Sequence, residues 1–236
     1  MAYVSGFEHD VFVSYAHVDN QLSDGSTAQR GWVTRLKANL NRGVGVLQKD
    51  IFIDHQLQPG HPFGDVLRRK VKGSALLLIL LSQNYIDSEW CGKELEHFIV
   101  THGEDPTRPR DVFVVELTPF GEFIDVPENI ANLRKELLLA KFWYQTEDVP
   151  VPRVAGDPSP EESKDNGFYW LQRDVLRHAL DTRLRELKRG PVKNVTHEAV
   201  LPVDWGSASS PFSARSSPNG TPAVLLAEVT RDLMVK

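Results

Sequence analysis

The stretch Ser88–His97, SEWCGKELEH, crowds three glutamates, a tryptophan and the chain's single cysteine just behind a long apolar run. At about 100° per residue, Cys91, Leu95 and Phe98 share one helix face, suited to packing on a sheet. Glu89, Lys93 and Glu96 fall on the opposite side, and Trp90, Glu94 and His97 form a stripe beside the apolar one. Residues four apart are helix neighbours, so Trp90 and Glu94 address the same space. That makes Glu94 a carboxylate at the edge of a core, next to an aromatic plane, in the first turns of a helix. A carboxylate fixed there can accept hydrogen bonds from a ligand and supply negative charge in a partly dry site, where charge acts more strongly. The spacing also suits a glutamate that pairs with a nearby lysine or arginine, or is solvated, above a Trp90 that belongs to the core. Spacing alone favours that plainer reading.

Such residues need elements to hold them. Asp10–Tyr15, DVFVSY, is a β-branched and aromatic run that predicts a strand. The polar AHVDNQLSDGST after it has no helical pattern. Trp32, Val33, Leu36 and Leu40 recur at helical spacing up to about Arg42, where Gly43 and Gly45 stop the helix. Ile51–Ile53 predicts a short strand, and Phe63, Val66, Leu67 and Val71 predict a second helix. Ala75–Leu81, ALLLILL, reads as a central parallel strand covered on both faces. Asp111–Leu117 predicts a fourth strand, residues 126–138 are weakly helical, and LLAKFWY, Leu138–Tyr144, reads as a fifth strand. Val149–Pro160 is a proline-rich loop. The last helix, Phe168–Lys188, carries Trp170, Leu171, Val175, Leu176, Ala179, Leu180 and Leu184 mainly on one side.

Strands alternating with helices imply right-handed crossovers and a parallel sheet. The expected fold is α/β: an open, flavodoxin-like, five-stranded parallel sheet with helices on both faces. In such sheets ligands bind outside the carboxyl ends of the strands, where strand order reverses. Here that crevice follows Ser14-Tyr15 and Ser82-Gln83, and the loop before the Glu94 helix borders it.

Composition narrows the field. With 41% hydrophobic and 25% charged residues, 236 residues suffice for one substantial domain. A net charge of -5 argues against a dedicated nucleic-acid binder. One cysteine permits no intrachain disulfide, which suits a reducing compartment. The amino terminus lacks the charged and apolar regions of a signal peptide, and Ala75–Leu81 is too short to span a bilayer. The expectation is a soluble, cytoplasmic protein. No Walker A sequence is present, and GVGVLQ lacks the third glycine of a dinucleotide fingerprint and precedes its strand. Neither HExxH nor a Cys/His metal spacing occurs, and His97 and His102 lie on nearly opposing helix faces. Ser14 and Ser82 are not in GxSxG elbows. Any nucleotide is therefore held without the usual phosphate cradle.

Three motifs in order carry a resemblance. HDVFVSYAHVDN resembles the first strand and loop of a Toll/interleukin-1 receptor (TIR) domain. DIFIDHQLQPG resembles its second strand and BB loop, and ALLLILLSQNYIDSEWCGKELEHF its third strand and the helix start behind it. The resemblance covers Phe7 to about Lys188, weakens after Leu117, and leaves 118–167 long for a minimal TIR domain. The Trp90–Glu94 spacing is similar to bacterial enzymatic members, which cleave NAD between nicotinamide and ribose, giving ADP-ribose or a cyclic isomer. The resemblance then implies Glu94 as the catalytic carboxylate, NAD as substrate with no further cofactor or metal, and Ser14, Tyr15, Trp90 and Ser82 as candidate substrate contacts. One carboxylate suffices. Ordinary glycosidases protonate a leaving oxygen, whereas nicotinamide departs neutral from a pyridinium that is already cationic. The resemblance also implies an assembly loop at Asp54, His55, Leu57 and Pro59, self-association, and a role in bacterial immune or stress responses. Many animal members are instead non-catalytic adaptors that assemble with other TIR domains.

The expected organisation is a TIR domain at 7–188, a Ser/Pro-rich linker at 189–222, and a strand-like segment at 223–236. That segment either opens a second α/β domain, such as a sensor or regulatory domain, or pairs as an edge strand.

Overall fold

The computed structural model describes residues 1–22, 30–43, 47–54, 65–106, 109–119, 126–147, 149–165 and 167–190. All belong to the first of the chain's two units, Met1–Lys193. Five segments, β1 (His9–Ser14), β2 (Ile51–Ile53), β3 (Ser74–Leu81), β4 (Val112–Glu116) and β5 (Leu138–Lys141), form one sheet in the order β2-β1-β3-β4-β5. Every neighbouring pair is parallel. This is the flavodoxin-like order, and it reverses between β1 and β3.

The strand period of two explains how one sheet serves two cores. Val11, Val13, Leu76, Leu78, Leu80 and Val115 face one side, covered by α1 (Trp32–Leu40) and α6 (Phe168–Arg189). Phe12, Leu77, Ile79, Leu81 and Val114 face the other, covered by α2 (Asp65–Lys72), α4 (Glu89–His102) and α5 (Glu128–Leu137). All eight residues of β3 are buried, as a continuous apolar run requires. A one-turn helix, α3 (Gln83–Ile86), links β3 to α4. On α6 the buried stripe is narrower than its apolar content: Leu176, Leu180 and Leu184 are sealed, while Leu171 and Val175 are exposed.

The structure corrects three expectations. The polar stretch after β1 contains a 3-10 turn at His17–Asn20, too short for periodicity to register. LLAKFWY is two strands. β5 ends at Lys141, and β6 (Trp143–Thr146) pairs antiparallel with β7 (Val149–Val154) in a separate ribbon. Phe142 is the pivot: fully buried, its N–H donates to Glu116 O and its carbonyl accepts from Ala155 N, each at 2.7 Å. The proline-rich segment is therefore partly strand. Pro150 and Pro152 are tolerated because a two-stranded ribbon leaves one edge of each strand unpaired. The elaboration is anchored by Trp32, whose indole N–H donates to Ala155 O at 2.8 Å. Phe142 and Tyr169 meet the Trp32 ring edge-on, with centroids 5.3 and 6.1 Å away.

The beginning of the second predicted helix at Phe63, the segment 223–236 and, beyond Gly190, the predicted linker lie outside the described residues. Among the described residues no helix is long and apolar enough to cross a membrane.

Candidate active site

The carboxyl end of β1 delivers Ser14 and Tyr15 to opposite faces. Ser14 shares the face of Phe12, under α4, and Tyr15 shares that of Val13. On α4, Ser88 caps the amino terminus, its Oγ accepting from Cys91 N at 3.4 Å. Cys91, Leu95 and Phe98 are buried, while Glu89, Lys93 and Glu96 are exposed, as the wheel predicts. This places Glu94 in the seam between α4 and the sheet, only 7% exposed. Its Oε2 accepts a hydrogen bond from the Ser14 hydroxyl. Ser14 also lies 3.4 Å from the Tyr85 hydroxyl, which donates to Cys91 O.

Burial pushes the Glu94 carboxyl up to about 8, the nearby Asp54 carboxylate adds to this, and the Ser14 hydrogen bond works against it. At neutral pH and without ligand, Glu94 is therefore mostly the neutral acid. The same surroundings affect its neighbours. Burial, with Glu94 second, raises the Cys91 thiol to about 12, leaving it unreactive. Burial raises the Tyr85 hydroxyl well above its ordinary value.

The other candidates separate. Tyr15 is buried and donates from Oη to the Asp54 carbonyl at 2.5 Å, tying the end of β1 to the end of β2. Ser82 caps α3 and donates to Asp19 Oδ2 at 2.6 Å, while Asn84 holds Asp19 Oδ1 at 2.7 Å. Asp19 thus clasps the turn after β1 to the turn after β3, across the point where strand order reverses. Trp90 is not core: it is 47% exposed, with Lys93 Nζ 4.6 Å above its ring. Its i+4 relation to Glu94 holds along the axis, but a step of about 40° around it turns the indole outward. Asp54 is half-buried, and His55, Leu57 and Pro59 lie outside the described residues.

A cleft of about 260 Å³ reaches Glu94 from the other side, lined by Arg68 and Val71 of α2 and by Lys93, Glu94, Glu96, His97 and Val100 of α4. Sequence reasoning missed Arg68, although it follows the buried Leu67 and precedes Val71 by one turn. It also missed Asp19, whose role depends on a turn with no periodic signal. A larger cavity, about 920 Å³, opens at the amino-terminal end of the sheet, beside Val112 and Leu138. Its Arg183 is already paired with Asp111 and Glu186. Parallel sheets bind ligands at the other end, where Glu94 meets Ser14 at the end of β1. The cleft that reaches Glu94 from between α2 and α4, running down to Val71 and Val100, is the candidate. Among the described residues no group of three His, Cys, Asp or Glu side chains is placed to hold a metal ion.

The family model for the TIR domain matches residues 11–148, more than half of the chain. This chain belongs to the TIR domain family. The matched region runs from β1 to the β6–β7 turn, so it contains Ser14 and Glu94 and stops before α6. The TIR domain is 30% identical over 89 residues to the probable disease resistance protein RPP1 of Arabidopsis thaliana, covering 38% of this chain and 6% of that protein. It is 31% identical over 87 residues to the disease resistance protein TAO1 of the same plant, covering 37% and 6%. The matches thus span a small fraction of the length of either relative. The TIR domains in the structure of the activated Roq1 resistosome, titled as directly recognizing the pathogen effector XopQ, share 18% identity. They align over 73% of this chain and 84% of that one at a TM-score of 0.32, too low to carry an argument.

Proposed function

We propose that this TIR domain is an NAD-cleaving effector of the bacterial enzymatic type, acting in an immune or stress response. It breaks the bond between nicotinamide and ribose, giving nicotinamide and ADP-ribose or a cyclic isomer. The observation that carries the reading is Glu94, a carboxyl group buried at the switch point of the sheet, hydrogen-bonded by Ser14 and reached by an open cleft. Structural glutamates are rarely buried without a cationic partner, and perturbed carboxyl groups in clefts mark functional sites.

The chemistry follows from the charges. The pyridinium of NAD is cationic, so its arrival favours the ionised form of Glu94. As the C–N bond lengthens, the pair of bonding electrons leaves with nicotinamide and positive charge moves onto the ribose. Ser14 engages Oε2, and Oε1 is assigned to the ribose hydroxyls. A fixed carboxylate in a dry seam stabilises the oxocarbenium-like transition state without reorganisation. Self-association is part of the proposal, with activity per molecule rising with protein concentration. The test is nicotinamide release from NAD at high protein concentration with a crowding agent, compared after dilution and in Glu94→Ala.

A second reading, a non-catalytic TIR adaptor, draws on the same pair. Ser14 satisfies a neutral Glu94 with no ligand present, as a purely structural pair does. No nicotinamide from folded, concentrated protein favours it.

A further inference from the structure

The cleft over Glu94 answers a question left open by the sequence: how a dinucleotide is held without a phosphate loop. Resting on the NAD-cleaving reading, we propose that Arg68 of α2 and Lys93 of α4 hold the diphosphate of the dinucleotide across the α2–α4 cleft, with Glu94 at the ribose end. Both residues line the same 260 Å³ cleft as Glu94, from facing helices. Arg68 is exposed on α2, next to the buried Leu67. Among the described residues, Lys93 pairs with Glu89 at 3.4 Å, an exposed contact of a kind worth little, and sits above the Trp90 ring.

The charge balance of the rim favours an anion. Glu96 is the opposing charge at the cleft. Arg68 and Lys93 set two cations against Glu96 at the rim, and Glu94, once ionised, faces the cationic ribose end of the dinucleotide and not its phosphates. A guanidinium presents a planar fork of donors that matches phosphate oxygens, and a lysine supplies a point charge. Val71 and Val100 form the apolar part of the lining, beside the polar Arg68, Lys93, Glu94, Glu96 and His97. A dinucleotide exceeds the cleft in size, so the cleft takes its central portion.

The experiment compares wild type with Arg68→Glu, Arg68→Lys and Lys93→Ala. KM and kcat for NAD are read from nicotinamide release, and inhibition is read with ADP and with adenosine, which lacks phosphate. Arg68 and Lys93 are on the surface, and circular dichroism checks that each variant folds. Charge-assisted hydrogen bonds to phosphate predict that Arg68→Glu raises KM for NAD and the inhibition constant of ADP by about 10-fold or more. Lys93→Ala raises them less, Arg68→Lys recovers part of the loss, and inhibition by adenosine is unmoved. An active wild type with KM and ADP inhibition within about twofold in Arg68→Glu overturns this assignment and leaves the NAD reading standing. A wild type that releases no nicotinamide overturns the NAD reading, and this assignment with it.

Discussion

At the scale of single residues, the account turns on the proton of Glu94. The folded value of about 8 lies above the ordinary carboxyl value of 4.5, so folding binds this proton more tightly than the unfolded chain does. The stability contributed is complete below the unfolded value and is lost as pH rises through the folded one. Glu94→Gln keeps the shape and the acceptor for Ser14 but never ionises. The variant should match wild type near pH 4 and exceed it near pH 9 by on the order of a few kcal/mol, read as Tm at the two pH values. A variant no more stable than wild type at pH 9 would contradict the buried-carboxyl assignment. Activity runs the other way. In the proposed reaction the ionised form does the chemistry, so kcat/KM for NAD should rise with pH through about 8. Ser14→Ala removes the hydrogen bond that opposes the upward shift, and that limb should move to higher pH. The Glu94 stripe was legible in the sequence because helical spacing fixes which residues share a face. The identity of its partner was not. Ser14 is 80 positions away, and pairing across a sheet-helix seam leaves no local pattern. Trp90 shows the limit of the spacing argument, since a residue on the edge of a stripe turns to solvent or core according to what covers it.

At the scale of elements, β1, β3 and α4 follow from composition, whereas the β6–β7 ribbon was hidden by two conflicting signals. LLAKFWY has uniform strand propensity, yet Phe142 divides it between two sheets, and prolines disguised β7 as a loop. The turn after β7 depends on Gly156. It has φ +75°, and a Cβ there would lie 2.4 Å from the Tyr169 ring. Gly156→Ala should destabilise the fold by about 2–3 kcal/mol, from backbone strain and overpacking together. Gly167, with φ +81° and nothing within 4 Å of an added Cβ, should lose only about 1 kcal/mol on the same change. Urea unfolding midpoints separate the two, and equal losses would show that the Tyr169 contact is not tight.

At the scale of the whole molecule, the sheet order was legible because a right-handed βαβ chain has few arrangements. The tie between its ends was not. Lys49 Nζ, fully buried before β2, meets Asp181 of α6 at 2.6 Å, joining residues 132 positions apart. Burial holds the Lys49 ammonium below its ordinary value, while the Asp181 hydrogen bond raises it. Lys49→Met leaves a buried carboxylate without its partner and should cost about 3–5 kcal/mol, and Lys49→Met with Asp181→Leu should recover most of that loss. A double variant as unstable as the single one would contradict this, as thermal unfolding will show. This tie fastens α6, which lies beyond the family match, to the edge of the sheet that leads to Asp54 and the site. The most direct test of the whole account is nicotinamide release from NAD at pH 8 by concentrated wild type beside Glu94→Gln, each verified as folded. The account predicts release by wild type and none above background from the variant. Equal release from both would contradict it.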